Sequence, residues 1–390
     1  MIGDSVTSIG EYAFRGCSSL TSVMIGDSVT SIGANAFYNC SSLTSVYIDD
    51  IASWCNIEFV YNNSNPLCYA ENLYLNNGSG TYELVIELVI PDSVMSIGKY
   101  AFLSCSSLTS VTIPDSVTSI GANAFYKCTG LTGVTIGNGV ESIGSSAFED
   151  CTGLTSITIP DSVTSIGYEA FYGCFKLVEV INKSSLPLTK GASSYGDVAY
   201  YALEVHDGES KIVNENGYLF YTHGETNYLL GYTGTSIELT LPENYNGENY
   251  KIYKYSFYHN DKITKVTIPD SVTSIGGSAF YNCSNLTSVT IPDSVTSIGG
   301  SAFYNCNSLT IVTIGNGVTN IGDYAFRYCS SLTSVTIGNS VTSIGSYAFY
   351  NCNNLTSINY RGTETQWGNI SKSNAKIPSS CVITYNYTGE

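Results

Sequence analysis

Ten of the 13 cysteines fall on one 23-residue spacing: Cys17 and Cys40, then Cys105, Cys128, Cys151 and Cys174, then Cys283, Cys306, Cys329 and Cys352. A column of thiols could ligate metal or form disulfides, because stacked neighbours would lie within the Cα separation a disulfide spans. Each step offers a single thiol beside Ala-Phe, however, and no C-x-x-C pair occurs. Side chains pointing in parallel also disfavour the disulfide dihedral. Close to all 13 cysteines are therefore expected free, packed as small apolar side chains. Asp92, Asp115, Asp270 and Asp293 follow Pro and would also stack one step apart, as Ca²⁺ ligands might be arranged. Asn138, Asn316 and Asn339 fill the same place in other steps, which points to turn formers instead. No metal site and no cofactor is expected.

The three histidines, His206, His223 and His259, lie in or beside one irregular stretch. No H-E-x-x-H, G-x-S-x-G or phosphate loop is present, and the G-N-G runs at Gly137 and Gly315 lack a third glycine. The residues thus indicate no enzyme, with a hydrolase built from scattered groups as the open alternative. Tyrosine is the stronger lead: 12 of the 32 fall between Tyr195 and Tyr258. Tyr gives a binding surface large contact area and a hydroxyl at small entropy cost. The same tyrosines could equally serve as the core of that stretch, and both readings stay open. Tyr38, Tyr126, Tyr172, Tyr281, Tyr304 and Tyr350 each follow a Phe of the repeat and should form a partly exposed ridge.

The elements that position these residues follow from the unit itself. From Leu286 it reads L-T-S-V-T-I-P-D-S-V-T-S-I-G-G-S-A-F-Y-N-C-N-S. Val289 and Ile291, flanked by Ser288 and Thr290, have the two-residue period of a strand with one face buried. Pro292 ends it, Val295 and Ile298 suggest a second short strand, and Gly299 would permit a turn at positive φ. Ala302 to Cys306 is too short for more than one helical turn. Such a coil cannot bury its own apolar face, so neighbours must stack. The threonines Thr112, Thr135, Thr158, Thr267, Thr290, Thr313 and Thr336 would then form an outward hydroxyl ladder.

The repeat blocks span 1–181 and 250–358, with two interruptions and a terminal coil. In a variant coil at about 47–88, Asp50 to Ile57 reads as a short helix bearing Trp54. The coil at 359–390 repeats that design around Trp367, since both share W-x-N-I, and should cap the stack. The segment 182–249 is compositionally distinct. Tyr200 to Leu203 suggests a helical turn there, and Gly217 to Gly231 a hairpin turning near Gly224.

Composition narrows the classes further. Hydrophobic residues make up 43% and charged residues 12%, so a continuous core is available and no disorder is indicated. A net charge of −17 disfavours nucleic acid and anionic membrane surfaces. No run approaches the roughly 20 apolar residues of a membrane helix, and no signal peptide is visible.

The recurring I-P-D-S-V-T-S-I-G-x-x-A-F-x-x-C-x-x-L-T-S-V resembles the repeat of BspA-like bacterial surface proteins, a divergent leucine-rich-repeat family. The Trp-bearing coil with Asn65-Pro66-Leu67, Tyr228 to Tyr232 and Tyr360 to Glu364 also look like segments between repeats in such proteins. The resemblance implies a leucine-rich-repeat solenoid of mostly short parallel β-strands, turns and short helical segments, with two irregular insertions. It further implies an extracellular or surface-displayed protein whose partners are proteins, including host matrix or bacterial surface proteins. A structural spacer and a carbohydrate-active enzyme are the alternatives. Specific recognition is expected at Tyr218, Tyr221, His223, Tyr228 and Tyr232, on a hairpin tip projecting from the repeats.

Overall fold

The computed structural model describes residues 2–3, 5–372 and 374–389, and the chain forms two compact units, Met1–Ser210 and Lys211–Glu390. Each unit is a parallel β-solenoid in which one repeat makes one coil. In the second unit the L-T-S-V-T-I strands Lys265–Thr267, Ser288–Ile291, Ile311–Ile314 and Ser334–Ile337 stand side by side in a seven-stranded sheet. They pair 23 residues apart, Val289 with Val312 and Val312 with Val335. The S-I strands, such as Ser297–Ile298 and Asn320–Ile321, belong to a separate eight-stranded sheet. The first unit repeats this plan in shorter sheets, with Ser110 opposite Gly133 and Ser119 opposite Ser142.

The register is exact because every inward position carries the same residue type, so a slip of one residue would turn Val and Ile outward. Outer threonines reinforce it. In most coils the first Thr of the strand segment donates its hydroxyl to the same position one coil back, as Thr132 does to the Thr109 carbonyl (3.1 Å) and Thr310 to that of Thr287 (3.0 Å). The Pro-Asp turn also bonds between coils: Asp115 Oδ1 accepts the Asn138 N–H and Asp293 Oδ1 that of Asn316, both at 2.6 Å. These carboxylates act on the next coil's backbone rather than within their own turn.

The A-F-x-x-C segment forms the third side of each coil, in turns without regular helix. Phe102, Phe125, Phe148 and Phe171 stack at 5.2 to 5.4 Å within 17° of parallel. Phe257, Phe280, Phe303, Phe326 and Phe349 do the same at 4.9 to 5.6 Å. Beside them the thiols are free and mostly buried. Eight of the ten donate to the Phe carbonyl of the previous coil, as Cys128 Sγ does to Phe102 (3.1 Å) and Cys329 Sγ to Phe303 (3.1 Å). The thiol is thus a second donor to a carbonyl that already accepts a backbone N–H, as Phe102 does from Cys105 (3.3 Å), and burial raises the pKa of the Cys128 thiol. Cys17 is exposed and Cys68 and Cys381 are half-buried.

The positive-φ expectation at Gly299 is corrected. The left-handed residues flank the Phe instead, at Ser301 (φ 55°) and Asn305 (φ 58°). Gly299 is needed because the coils approach there: a Cβ would meet Gly277 N at 2.4 Å and Gly276 C at 2.6 Å.

Both Trp-bearing coils contain the expected helices, Ile51–Cys55 capped by Asp50 and Glu364–Asn369 capped by Thr363. Trp54 is buried and donates Nε1–H to the Ala101 carbonyl at 2.8 Å, replacing the Phe column across this coil. Trp367 packs against Tyr360 (ring centroids 5.2 Å apart). Within 182–249 the boundary between units falls after Ser210. Tyr200 to Leu203 is turn and bend rather than helix.

Candidate functional site

The hairpin consists of Tyr218–His223 and Thr226–Tyr232, paired antiparallel with a bulge between Leu219 and Phe220. It does not project. Its second strand pairs in parallel with Tyr250–Ile252, so the hairpin enters the eight-stranded sheet of the second unit as its second and third strands. The cause is apolar: Leu219, Phe220, Leu229 and Leu230 are buried, and Phe220 stacks on Tyr245 at 4.3 Å. Where coils lack Phe and Cys, Tyr fills the core, for Tyr221, Tyr245 and Tyr250 are also buried. Tyr250 donates its hydroxyl to the Pro242 carbonyl at 2.7 Å.

Of the five expected recognition residues, Tyr221 is therefore corrected. Its side chain is 0% exposed and belongs to the packing of the hairpin. Tyr218, His223, Tyr228 and Tyr232 are half-buried. Tyr218 donates to the Thr240 carbonyl (2.7 Å) and lies 4.7 Å from the Tyr232 ring, while Tyr228 meets Tyr253 edge-on at 5.3 Å. Burial, with Tyr232 beside it, holds the Tyr218 phenol above its ordinary pKa. The two ring pairs are braced, with Tyr218, Tyr228 and Tyr232 half-buried and Tyr253 buried.

The tyrosine ridge is present. Tyr38, Tyr126, Tyr281, Tyr304 and Tyr350 are half-buried and Tyr172 is exposed. Tyr258, Tyr281 and Tyr304 stack at 5.1 and 4.5 Å. One member of the threonine ladder departs from expectation: Thr336 is buried next to Asn359 of the terminal coil, its partner in register.

A cluster that the sequence reading missed lies where the ridge changes residue. Arg327 takes the ridge position between Tyr304 and Tyr350. Its guanidinium carbon lies 4.8 Å from the Tyr328 ring centroid, 5.0 Å from Tyr350, 5.2 Å from Tyr324, 5.7 Å from Tyr304 and 5.9 Å from Tyr347. It donates one bond, Nη2–H to the Tyr328 hydroxyl at 3.1 Å. Aligning the coils at 23 residues would have exposed it, since Arg327 is one of only three arginines and breaks a run of Tyr.

In the first unit, buried Glu179 gathers His206 and Ser210. His206 Nε2 lies 3.1 Å from Glu179 Oε1, and Ser210 donates its hydroxyl to Oε2 at 2.6 Å. His206 Nδ1 accepts the Gly208 N–H (3.0 Å), so its proton resides on Nε2, facing the carboxylate. Both side chains donate to Glu179, and neither histidine nitrogen is placed to take the serine proton, as a nucleophilic relay requires.

The family model for the BspA type leucine rich repeat region, in 6 copies, matches residues 1–73, 81–192 and 250–377. No curated protein matches. Among solved structures, a leucine rich cell surface protein from Faecalibacterium prausnitzii is 29% identical, with 94% of this chain and 86% of that one covered and a TM-score of 0.34. A leucine-rich repeat protein from Eubacterium ventriosum is 25% identical over 78% of this chain and 84% of that one, with a TM-score of 0.41. The pneumococcal vaccine antigen PcpA is 19% identical over 97% and 79%, with a TM-score of 0.45. The family match spans most of the residues and follows the same 23-residue unit whose Val, Ile, Phe and Cys build both cores, and the chain belongs to the BspA-type leucine-rich-repeat family.

Proposed function

We propose that this chain is a non-catalytic protein-binding or adhesion scaffold, displayed outside a bacterial cell and directed at host matrix or bacterial surface proteins. The observation that supports it is a braced aromatic surface. Tyr218, Tyr228 and Tyr232, with His223, are half-buried on a hairpin held in place by buried Leu219, Phe220 and Tyr221. Rigid aromatic groups with a polar tip lose little entropy on binding and recur as anchors of protein interfaces. The chemistry around Glu179 fits the same reading, because His206 and Ser210 are spent on a buried carboxylate.

The test is retention of the purified chain on immobilised matrix proteins and whole bacterial cells, comparing a Tyr218→Ser, Tyr228→Ser variant with a Thr290→Ser, Thr313→Ser control. Tyr221 is left alone because it holds the hairpin. With circular dichroism unchanged, the tyrosine variant is expected to bind about tenfold more weakly or worse, a loss of about 1.4 kcal/mol, and the control to bind as before. Full affinity in the tyrosine variant with loss in the control would move recognition to the threonine face.

A further inference from the structure

The surroundings of Arg327 differ from those of any other cation among the described residues. Five tyrosine rings lie within 5.9 Å of its guanidinium carbon. Its Nε is buried with no acceptor, and among the described residues no carboxylate oxygen comes within the 4.0 Å of an ion pair. Arg15 holds the same coil position in the first unit but has two rings, Tyr12 at 5.2 Å and Tyr38 at 5.7 Å. Lys376 approaches the same cluster, with Nζ 5.5 Å from the Tyr347 ring.

The backbone does not ask for tyrosine here. Tyr324 and Tyr347 occupy a left-handed place that Tyr12, Tyr100 and Tyr255 also fill, but Tyr328 sits at φ 63°, a region where residues with a large side chain are uncommon and Asn is favoured. The places equivalent to Tyr328 hold Asn282, Asn305 and Asn351, at φ 57° to 59°. A residue kept where its own backbone preference opposes it points to another use. Charge points the same way. Residues 1–210 carry six Lys and Arg against 21 Asp and Glu, net −15, whereas residues 211–390 carry nine against 11, net −2. From Asp293 to Glu390 there are four bases and four acids, so this stretch lacks the acid excess of residues 1–210. At physiological salt a charge acts over about 8 Å, so an approaching group meets Arg327 and Lys376 at the cluster rather than the charge of the whole chain.

We infer that the Arg327 cluster is a docking site for an acidic segment of a partner protein, a carboxylate engaging the guanidinium fork while the tyrosines pack around it. The inference rests on the protein-binding reading and names a second surface for it. Tyr and Arg together are the composition of protein-interface anchors, and a planar guanidinium suits two-point recognition of a carboxylate. The site lies on the turns at Tyr324 to Tyr328 and Tyr347 to Tyr350, and rings drawn from three successive coils suit an extended polypeptide better than a single sugar acid.

With three arginines in the chain, labelling arginine with ¹⁵N gives three side-chain Nε–Hε signals, and Arg327→Lys identifies the one concerned. The full chain is titrated with acetyl-hexaglutamate amide, a hyaluronan tetrasaccharide and acetyl-hexalysine amide. The expected result is a saturable shift of the Arg327 signal with hexaglutamate, with Arg15 and Arg361 unmoved and hexalysine inert. A Tyr328→Asn, Tyr350→Ser variant should weaken it about tenfold or more, and thermal melting checks that this variant folds. No shift, equal shifts at Arg15, or tighter binding of the tetrasaccharide would each overturn the inference, the last in favour of an acidic glycan. A failed titration alongside hairpin-dependent capture of a matrix protein removes this site alone. Capture lost with every matrix protein and cell preparation removes the protein-binding reading itself.

Discussion

Phe148→Ala is expected to destabilise the first unit by about 3 to 5 kcal/mol, the range for deleting a large aromatic from a packed core. Phe148 is fully buried, between Phe125 and Phe171 at 5.2 Å on either side. Its loss removes two ring stacks along with the hydrophobic burial of the side chain. In a solenoid each coil is held by its neighbours alone, so a gap there uncouples the coils on either side. Tyr126→Ala, one position after Phe125 and half-buried on the ridge, should cost under about 1 kcal/mol. Urea unfolding of both variants makes the comparison, and equal losses would mean that inner and outer faces have been exchanged.

The second large effect is expected from one methyl group. Gly299→Ala places a Cβ 2.4 to 2.7 Å from three backbone atoms of Gly276 and Gly277 in the previous coil. Backbone cannot rotate away as a side chain can, so the coils must part, at a cost of about 3 kcal/mol or more. Gly300→Ala is the control. Its Cβ would meet only the Asp323 carbonyl oxygen at 3.4 Å, and Ala122 already stands at that place in another coil. That variant should be neutral or slightly stabilising, because it restricts the unfolded chain. A thermal melt in which both variants fall equally would show that spacing between coils is not what selects Gly299.

Much of this architecture was legible because it repeats. The spacing of Val289, Ile291, Ile298, Phe303 and Cys306 recurs with a period of 23 residues, and any arrangement that buries one such set must bury all of them. Both Trp helices were readable from W-x-N-I and from the capping residues Asp50 and Thr363. Four features were not readable, each because it depends on the neighbouring coil. Gly299 is glycine for the sake of Gly276 and Gly277 rather than its own φ. Asp115 and Asp293 bond forward to the next coil. The hairpin at Tyr218 to Tyr232 looked like a protrusion, yet the strand at Tyr250–Ile252 draws it into the sheet and buries Tyr221. The Arg327 cluster escaped because its five tyrosines come from three coils, adjacent only once the 23-residue register is imposed.

The central claim is that a regular scaffold carries protein recognition on its aromatic edges. Its most direct test is hydrogen–deuterium exchange of the chain, free and bound to whichever immobilised matrix protein or bacterial surface preparation retains it. Slowed exchange is expected at residues 218–232 and at the turns 324–328 and 347–350, with the strands bearing Thr267, Thr290 and Thr313 unchanged. Protection confined to those threonine strands, or no retention by any matrix protein or cell preparation, would contradict the claim.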